Sequence, residues 1–418
     1  MRAAGRVRVV AGIVSGVALG VTAIGVIGLT LSAALSVMFA RKLVTPPGRA
    51  ESTVRILALG ESTIVLTASI ETRAPGRFSL WFADEAGHAR IGAVISQSRR
   101  WVARELLSVQ FGQPKAGDNA RTSGWFYLTP ADLGLAYSDV VIDTELGPAP
   151  AWHIPAAEAT ATWAIHVHGR GVQRPETVRA LKEFFDAGLT SLSVSYRNDT
   201  EAPDSADRRY GLGSTEYQDV DAAICFAQQS GAERIILMGW SMGGATVLQT
   251  LMLSANRAMI IGLILDSPVI AWGPIIELHG ALNRIPAPIQ SAAKALLGSE
   301  QARLLVGTDN PLDLRAMNFV ERAAELDRPI LLMHSSDDAY VPAAPSRALA
   351  ELRPDIVTYE EFEIAGHTRL WNYDSERWLG AIREWLSIQL ASIASDEASS
   401  DYVTSAAIAD DPDAPGAA

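Results

Sequence analysis

Apolar positions along the chain follow three successive patterns. Residues 9–40 contain no charged side chain, and as a helix rising 1.5 Å per residue such a run exceeds the ~30 Å hydrocarbon thickness of a bilayer. A signal peptide's apolar region is only about 7–15 residues long. The pattern therefore predicts a retained transmembrane helix over 9–40, behind a basic head at 1–8 that carries Arg2, Arg6 and Arg8. Pro46, Pro47 and Gly48 mark a linker over 41–51. Residues 52–136 then alternate apolar and polar positions in short runs, at 53–59, 62–70, 77–82, 89–95, 105–111 and 123–128, punctuated by Gly, Pro and Asp. A period of two is the mark of strands, so a small antiparallel β-rich accessory domain of four to six strands is expected there.

From residue 137 the pattern changes again. Eight apolar or alternating runs at 140–143, 151–154, 163–167, 190–195, 234–238, 260–265, 329–333 and 357–364 read as strands, and helical patterns at 176–187, 345–352 and 376–392 alternate with the later ones. That order predicts an α/β domain over 137–391 built on a mostly parallel, doubly wound sheet. Residues 273–326 form an insertion, helix-like at 290–297 and 300–305, expected to cap a pocket. From 392 to 418 Ala, Ser, Asp and Pro dominate with almost no large apolar residue. Such a composition predicts a disordered acidic tail.

Composition narrows the possible partners. The chain has 418 residues, 48% of them hydrophobic, which is enough for a large core and an accessory unit. A net charge of −12 argues against nucleic acid as a partner. The single cysteine, Cys225, sits beside Phe226 within a predicted helix, reads as a buried packing residue, and excludes an intramolecular disulfide. A basic head before one long span is the signal-anchor layout, although Arg41, Lys42 and Arg49 balance the charge on the far flank. The expectation is a single-pass protein of the cell membrane with its catalytic part outside and the lipid bilayer as a partner. Gly12, Gly16 and Gly20, spaced by four, would let two such helices approach closely as a homodimer.

The chemistry concentrates at residues 239–244. An apolar strand runs into Gly239, Trp240, Ser241, Met242, Gly243 and Gly244, and a helical stretch follows to residue 253. A serine at the apex of a strand-to-helix turn needs glycines two residues either side, because a Cβ there would clash. Ser241 would then stand at the positive end of a helix, with the Met242 N–H free to donate to an oxyanion. A nucleophilic serine requires a base and a carboxylate that fixes the base's tautomer. Of the seven histidines, only His367 follows a candidate acid at the end of a later strand, after Ala365 and Gly366. Asp337 and Asp338, adjacent after the strand at 329–333, are both candidate acids. His166 and His168 share one strand face, but no further His, Cys or carboxylate cluster has matching spacing, so neither a metal nor any other cofactor is expected.

The segment from His334 to Pro342 resembles the strand-end signature His-Gly-x-x-Asp-x-x-Val-Pro of the α/β-hydrolase superfamily, with Ser335 in place of glycine. The resemblance implies that Asp338 is the acid. His168, Gly169, Arg170 and Gly171 resemble the superfamily's His-Gly-x-Gly motif, which implies that the Arg170 backbone N–H is the second oxyanion donor. The stretch from 190 to 229 resembles the branch that includes prolyl-oligopeptidase-like and BEM46-like serine hydrolases. The implied molecule is a membrane-anchored serine hydrolase with an α/β-hydrolase fold, cleaving an ester or amide of a small molecule or short peptide through an acyl-enzyme. Ester cleavage is favoured over peptide cleavage, since residues 52–136 are too few for the branch's large propeller. Acyl transfer and a non-catalytic, membrane-anchored binding module are the alternatives. Trp240, Trp272, Ile275 and Ile276 are candidates for lining the substrate pocket.

Overall fold

In the computed structural model, which describes residues 30–48 and 50–409, two β-structures are joined in sequence. Helix α1, residues 30–44, comes first. Strands β1 (Val54–Leu59) and β2 (Thr63–Thr67), a turn of helix α2 (Ile70–Arg73), then β3 (Phe78–Phe82), β4 (Gly87–Gln97), β5 (Trp101–Phe111) and β6 (Asn119–Ser123) follow. They close into an antiparallel barrel in the order β1-β2-β5-β4-β3-β6, with β6 returning to β1. Closure leaves no free sheet edge. Alternate residues such as Ile56, Ile64, Leu66, Leu80 and Ile91 fill its core.

One charged side chain enters that barrel. The Arg104 guanidinium is fully buried and donates to the carbonyls of Gly92, Thr72, Ala74 and Gly76 at 2.6–3.1 Å. Burial pulls its pKa down to about 10. The run at 123–128 is not the last strand, since β6 ends at Ser123. Phe126 is instead buried beside Trp371 in the core of the second unit, so these apolar residues join the two parts. Arg77 N–H donates to the Asn372 carbonyl, while the Asn372 amide donates to the carbonyls of Arg77 and Gly124.

The second unit is an eight-stranded sheet. Its strands are β7 (Ser138–Thr144), β8 (Gly147–Ile154), β9 (Thr162–Val167), β10 (Thr190–Val194), β11 (Arg234–Trp240), β12 (Ile260–Asp266), β13 (Ile330–Ser335) and β14 (Val357–Phe362). They lie in the order β14-β13-β12-β11-β9-β10-β8-β7, six parallel strands with the β7–β8 hairpin antiparallel at one edge. Helices α3 (Val178–Asp186), α4 (Tyr217–Gln229), α5 (Met242–Leu253), α9 (Ala344–Leu352), the turn α10 (Leu370–Tyr373) and α11 (Ser375–Ala409) accompany it. Between β12 and β13 the insertion carries α6 (Trp272–Leu282), α7 (Ala287–Leu297) and the short α8 (Arg303–Val306). Residues of β9 to β13 are buried on both faces, which explains their continuous apolar runs. Cys225 on α4 is half-buried rather than core, its sulfur 3.2 Å from the Asn256 amide.

Three expectations change. α11 continues from Ser375 to Ala409, through residues expected to be disordered. The stretch 381–411 contains neither Gly nor Pro, so nothing in it breaks a helix. Single-pass membrane localisation, with an external catalytic part, is also overturned: among the described residues no helix is long and apolar enough to cross a membrane. Residues 9–29 of the expected span, with Gly12, Gly16 and Gly20, lie outside the described residues. At its described end, Phe39, Ala40 and Val44 are buried in the main hydrophobic core of the sheet unit, so this part of the run packs on protein. Finally, 41–47 is no free linker, because α1 runs to 44 and Tyr210 N–H donates to the Val44 carbonyl at 2.8 Å.

Candidate active site

The site lies at the carboxyl ends of the parallel strands, where open α/β sheets bind ligands. β11 enters α5 through Ser241, held at φ 52°, ψ −115°. A positive φ on a serine is strained backbone, and the packing around it explains why it persists. A Cβ on Gly239 would strike the Gly243 carbonyl, and one on Gly243 would strike the Val167 and His168 carbonyls. Strand and helix thus approach too closely for any side chain but hydrogen, and the turn between them is forced.

Ser241 meets two distant side chains. His367 Nε2 is 2.9 Å from Ser241 Oγ, and His367 Nδ1 is 2.7 Å from Asp338 Oδ2. Facing a carboxylate, Nδ1 carries the proton and Nε2 is left to accept from the serine hydroxyl. Asp338 Oδ1 accepts the N–H groups of Tyr340 and Val341, each at 2.8 Å. Asp337 is turned away. Its Oδ1 accepts Ser335 Oγ at 2.6 Å and the Gly366 N–H at 2.8 Å, so it pins the loop that bears the imidazole.

The remaining sequence candidates divide. Arg170 and Met242 line one cavity with Ser241. Among the described residues neither backbone N–H is engaged in a hydrogen bond. The loop before Arg170 is fixed instead by its neighbours: Gly169 N–H donates to Glu176 Oε2 at 2.7 Å, Tyr196 OH to the Gly169 carbonyl at 2.7 Å, and Gly171 N–H to Tyr210 OH at 3.2 Å. Trp272 and Ile275 line the cavity, but Trp240 and Ile276 do not. Trp240 points to the opposite face from Ser241 and packs with Ile236, Met238 and Trp378. Ile276, one residue on from Ile275 and so about 100° around the helix, faces the core.

The two histidines of β9 have other partners. His168 Nε2 pairs with Asp199 Oδ2 at 2.8 Å, and its ring stacks on Tyr196. Burial opposes its charge, but the charge and hydrogen bond of Asp199, with the Gly169 carbonyl and Glu176, together raise its pKa. His166 Nε2 lies 3.1 Å from Ser191 Oγ, and burial drives its pKa down to about 3.

A family model described as the Alpha/beta hydrolase family matches residues 164–381, just over half of the chain. The chain belongs to the alpha/beta hydrolase family. A second model, described as a domain of unknown function (DUF8805), matches residues 55–123, the span of the barrel. Solved structures similar to this hydrolase include an esterase of Pyrococcus furiosus (20% identity, covering 63% of this chain and 94% of that one, TM-score 0.49). Others are an esterase of Exiguobacterium antarcticum (15%, 60% and 100%, TM-score 0.44) and one of a Rhodococcus species (17%, 60% and 98%, TM-score 0.41). No curated protein matches the sequence significantly.

The supports of this hydrolase's site include the signature's own first histidine and others that carry no local sequence signal. His334 is fully buried, with Nε2 3.2 Å from Asp338 Oδ2 and 3.1 Å from the Val341 carbonyl. Both neighbours are acceptors, so Nε2 bears the proton. Burial works against the charge on Asp338, but hydrogen bonds from His334 and His367, with their charge, hold the carboxyl well below the usual carboxylate range. Thr368 N–H donates to Ser267 Oγ at 3.0 Å, and Arg179 Nη1 to the Thr368 carbonyl at 2.8 Å. The imidazole is therefore held from both sides in sequence, by Gly366 and by Thr368. Above it Tyr340 lies with its ring centroid 5.1 Å from that of His367, and His279 of α6 packs on Tyr340 in turn.

Proposed function

We propose that this hydrolase cleaves carboxylic esters through an acyl-enzyme on Ser241. The observation that carries this reading is His367 within hydrogen-bonding distance of both Ser241 Oγ and Asp338, at 2.9 and 2.7 Å. As Ser241 Oγ attacks the acyl carbon, His367 Nε2 takes its proton, and the Asp338 carboxylate stabilises the imidazolium that forms. The C=O π pair moves onto oxygen, where the N–H groups of Met242 and Arg170 receive it at the positive end of α5. Collapse expels the alcohol, protonated by His367. Water, activated by the same imidazole, then releases the acid and restores the serine.

Amide cleavage uses the same steps. Esters are favoured because no barrel residue borders the cavity, so the accessory unit builds no chamber for threading a peptide. The proposed division of the chain is an accessory unit at 52–136 and a catalytic unit at 137–391 with its cap at 273–326. The segment 190–229 supports placing it in the branch that includes prolyl-oligopeptidase-like and BEM46-like hydrolases. Ser241→Ala should abolish both labelling by a fluorophosphonate and turnover of p-nitrophenyl butyrate. Retention of either by the variant overturns the proposal.

A further inference from the structure

The cavity in front of Ser241 is walled on one side by a part of the chain that precedes the family-matched region. It measures about 770 Å³, within the range of pockets that enclose a small molecule. Leu35, Met38, Phe39 and Leu43 of α1 form one wall, and Val269, Trp272, Ile275 and Ile285 face them from the cap side. Among the described residues no carboxylate lines it, and the cationic Arg41 and Lys42 are exposed. Leu35, Met38 and Phe39 stand at i, i+3 and i+4, hence on one helix face. From Leu35 to Leu43 that face runs about 12 Å along the axis.

This wall is built in. Phe39, Ala40 and Val44 anchor α1 in the core. The Arg170 guanidinium donates to the carbonyls of Lys42 and Thr45 at 3.1 and 2.5 Å, Arg209 Nη1 to Thr45 Oγ1 at 2.9 Å, and Arg41 Nε to the Leu305 carbonyl at 2.7 Å. Opposite, Trp272 Nε1 donates to the Leu212 carbonyl at 2.9 Å. Yet within this fixed wall Leu35 and Met38 remain 41% and 65% exposed. Two large apolar side chains, held in water beside a serine nucleophile, have surface to give to a ligand.

We infer that the substrate is an ester of a medium- or long-chain fatty acid, whose acyl chain lies between α1 and the cap, so that Leu35 and Met38 are specificity-determining residues. The inference rests on the serine hydrolase reading for its chemistry, but the acyl site itself does not. A linear apolar chain fits a cavity that α1 and the segment after β12 line with large apolar side chains. Each methylene buried is worth about fourfold in kcat/KM, so selectivity should climb with chain length until the stripe ends.

The test uses the full chain with p-nitrophenyl acetate, butyrate, octanoate and laurate. The parent should prefer octanoate over acetate by at least about tenfold in kcat/KM. A Leu35→Asp, Met38→Asp double variant, with both changes at exposed positions, should lower that ratio at least about tenfold. Leu304→Asp, at an exposed leucine outside the cavity, should keep it. A parent without chain-length preference, or a double variant that keeps the parent's ratio, overturns the inference. Binding of dansyl-undecanoic acid to the Ser241→Ala chain separates the two claims. Binding that the double variant loses, in a parent that turns over no ester, leaves the acyl site standing and removes the hydrolase reading. Ester turnover without probe binding does the reverse.

Discussion

Replacing Asp338 by Asn tests the charge of the site while barely changing its shape. Asp338 Oδ1 accepts two backbone N–H groups, from Tyr340 and Val341, and Oδ2 faces the nitrogens of His367 and His334. The amide oxygen of Asn must therefore take the Oδ1 position, because an NH₂ group there would meet two donors. Its NH₂ then points at His367 Nδ1. The imidazole answers by moving its proton to Nε2, opposite Ser241 Oγ, and no longer accepts the serine proton. Loss of the correct tautomer in such a triad costs roughly 10⁴-fold in kcat, about 5.4 kcal/mol in the barrier. His334 meets the same NH₂ with a donor, so stability should fall as well, by about 1–3 kcal/mol for the unsatisfied group.

Asp337→Asn is the matched control. Its Oδ1 accepts from Ser335 Oγ and Gly366 N–H, and a carboxamide oxygen accepts from both. Only the charge-assisted part of those bonds is lost, about 1 kcal/mol each, so kcat should stay within about tenfold of the parent. Turnover of p-nitrophenyl butyrate and the rate of fluorophosphonate labelling give the two activities, and circular dichroism melts report whether each variant is folded. If Asp338→Asn stays folded and within tenfold of the parent, or Asp337→Asn proves as damaging, the assignment of Asp338 as orienting acid is wrong.

Two further perturbations probe the frame around the site. Against the cost of burial, the pKa of His168 is raised above its unfolded value of about 6.5, with Asp199 foremost among the groups that raise it. The pair's stabilisation is thus fully present below about pH 6.5 and is lost as pH rises through the higher folded value. The difference in Tm between parent and Asp199→Asn should accordingly shrink above that pH, and a difference that grows with pH contradicts the sign. In the barrel, Arg104→Leu strands the carbonyls of Gly92, Thr72, Ala74 and Gly76, at about 1–3 kcal/mol for each left dry. Calorimetry should show the earliest unfolding transition moved down by many degrees. An unchanged trace would mean that the guanidinium does not hold the barrel's inner turns.

What could be read from the sequence follows how local the governing contacts are. The strands from Thr162 to Ser335 are buried on both faces, and a continuous apolar run between turns has few other destinations. The Ser241 corner was equally legible, because Gly239 and Gly243 are constrained by atoms within the same turn or on the adjoining strand end. The choice between Asp337 and Asp338 was not open to pattern reasoning from neighbours alone, since it depends on which carboxylate faces a loop that arrives from β14. Supports such as Ser267 and Arg179 act through contacts far apart in sequence, and their identities carry no periodicity. Trp240 and Ile276 failed as pocket residues for a simpler reason: nearness in sequence to Ser241 or Ile275 says nothing about the face a side chain takes.

The helix before the barrel shows where hydropathy alone runs out. An uncharged apolar run satisfies a lipid environment and a protein core equally, because both demand buried backbone hydrogen bonds and no unpaired charge. What separates them is the destination of particular side chains. Phe39, Ala40 and Val44 are in the hydrolase core, while Leu35 and Met38, on the face they share with Phe39, border the cavity of Ser241 and remain exposed. The Arg170 side chain then ties this helix to the loop at 168–171, which borders the same cavity, through the carbonyls of Lys42 and Thr45. In the mechanism proposed above the Arg170 backbone N–H is an oxyanion donor, so two hydrogen bonds join α1 to the residue that bears it. The proposed acyl wall and the proposed oxyanion donor are thus linked by hydrogen bonds, and neither is visible in the hydropathy of residues 30–47.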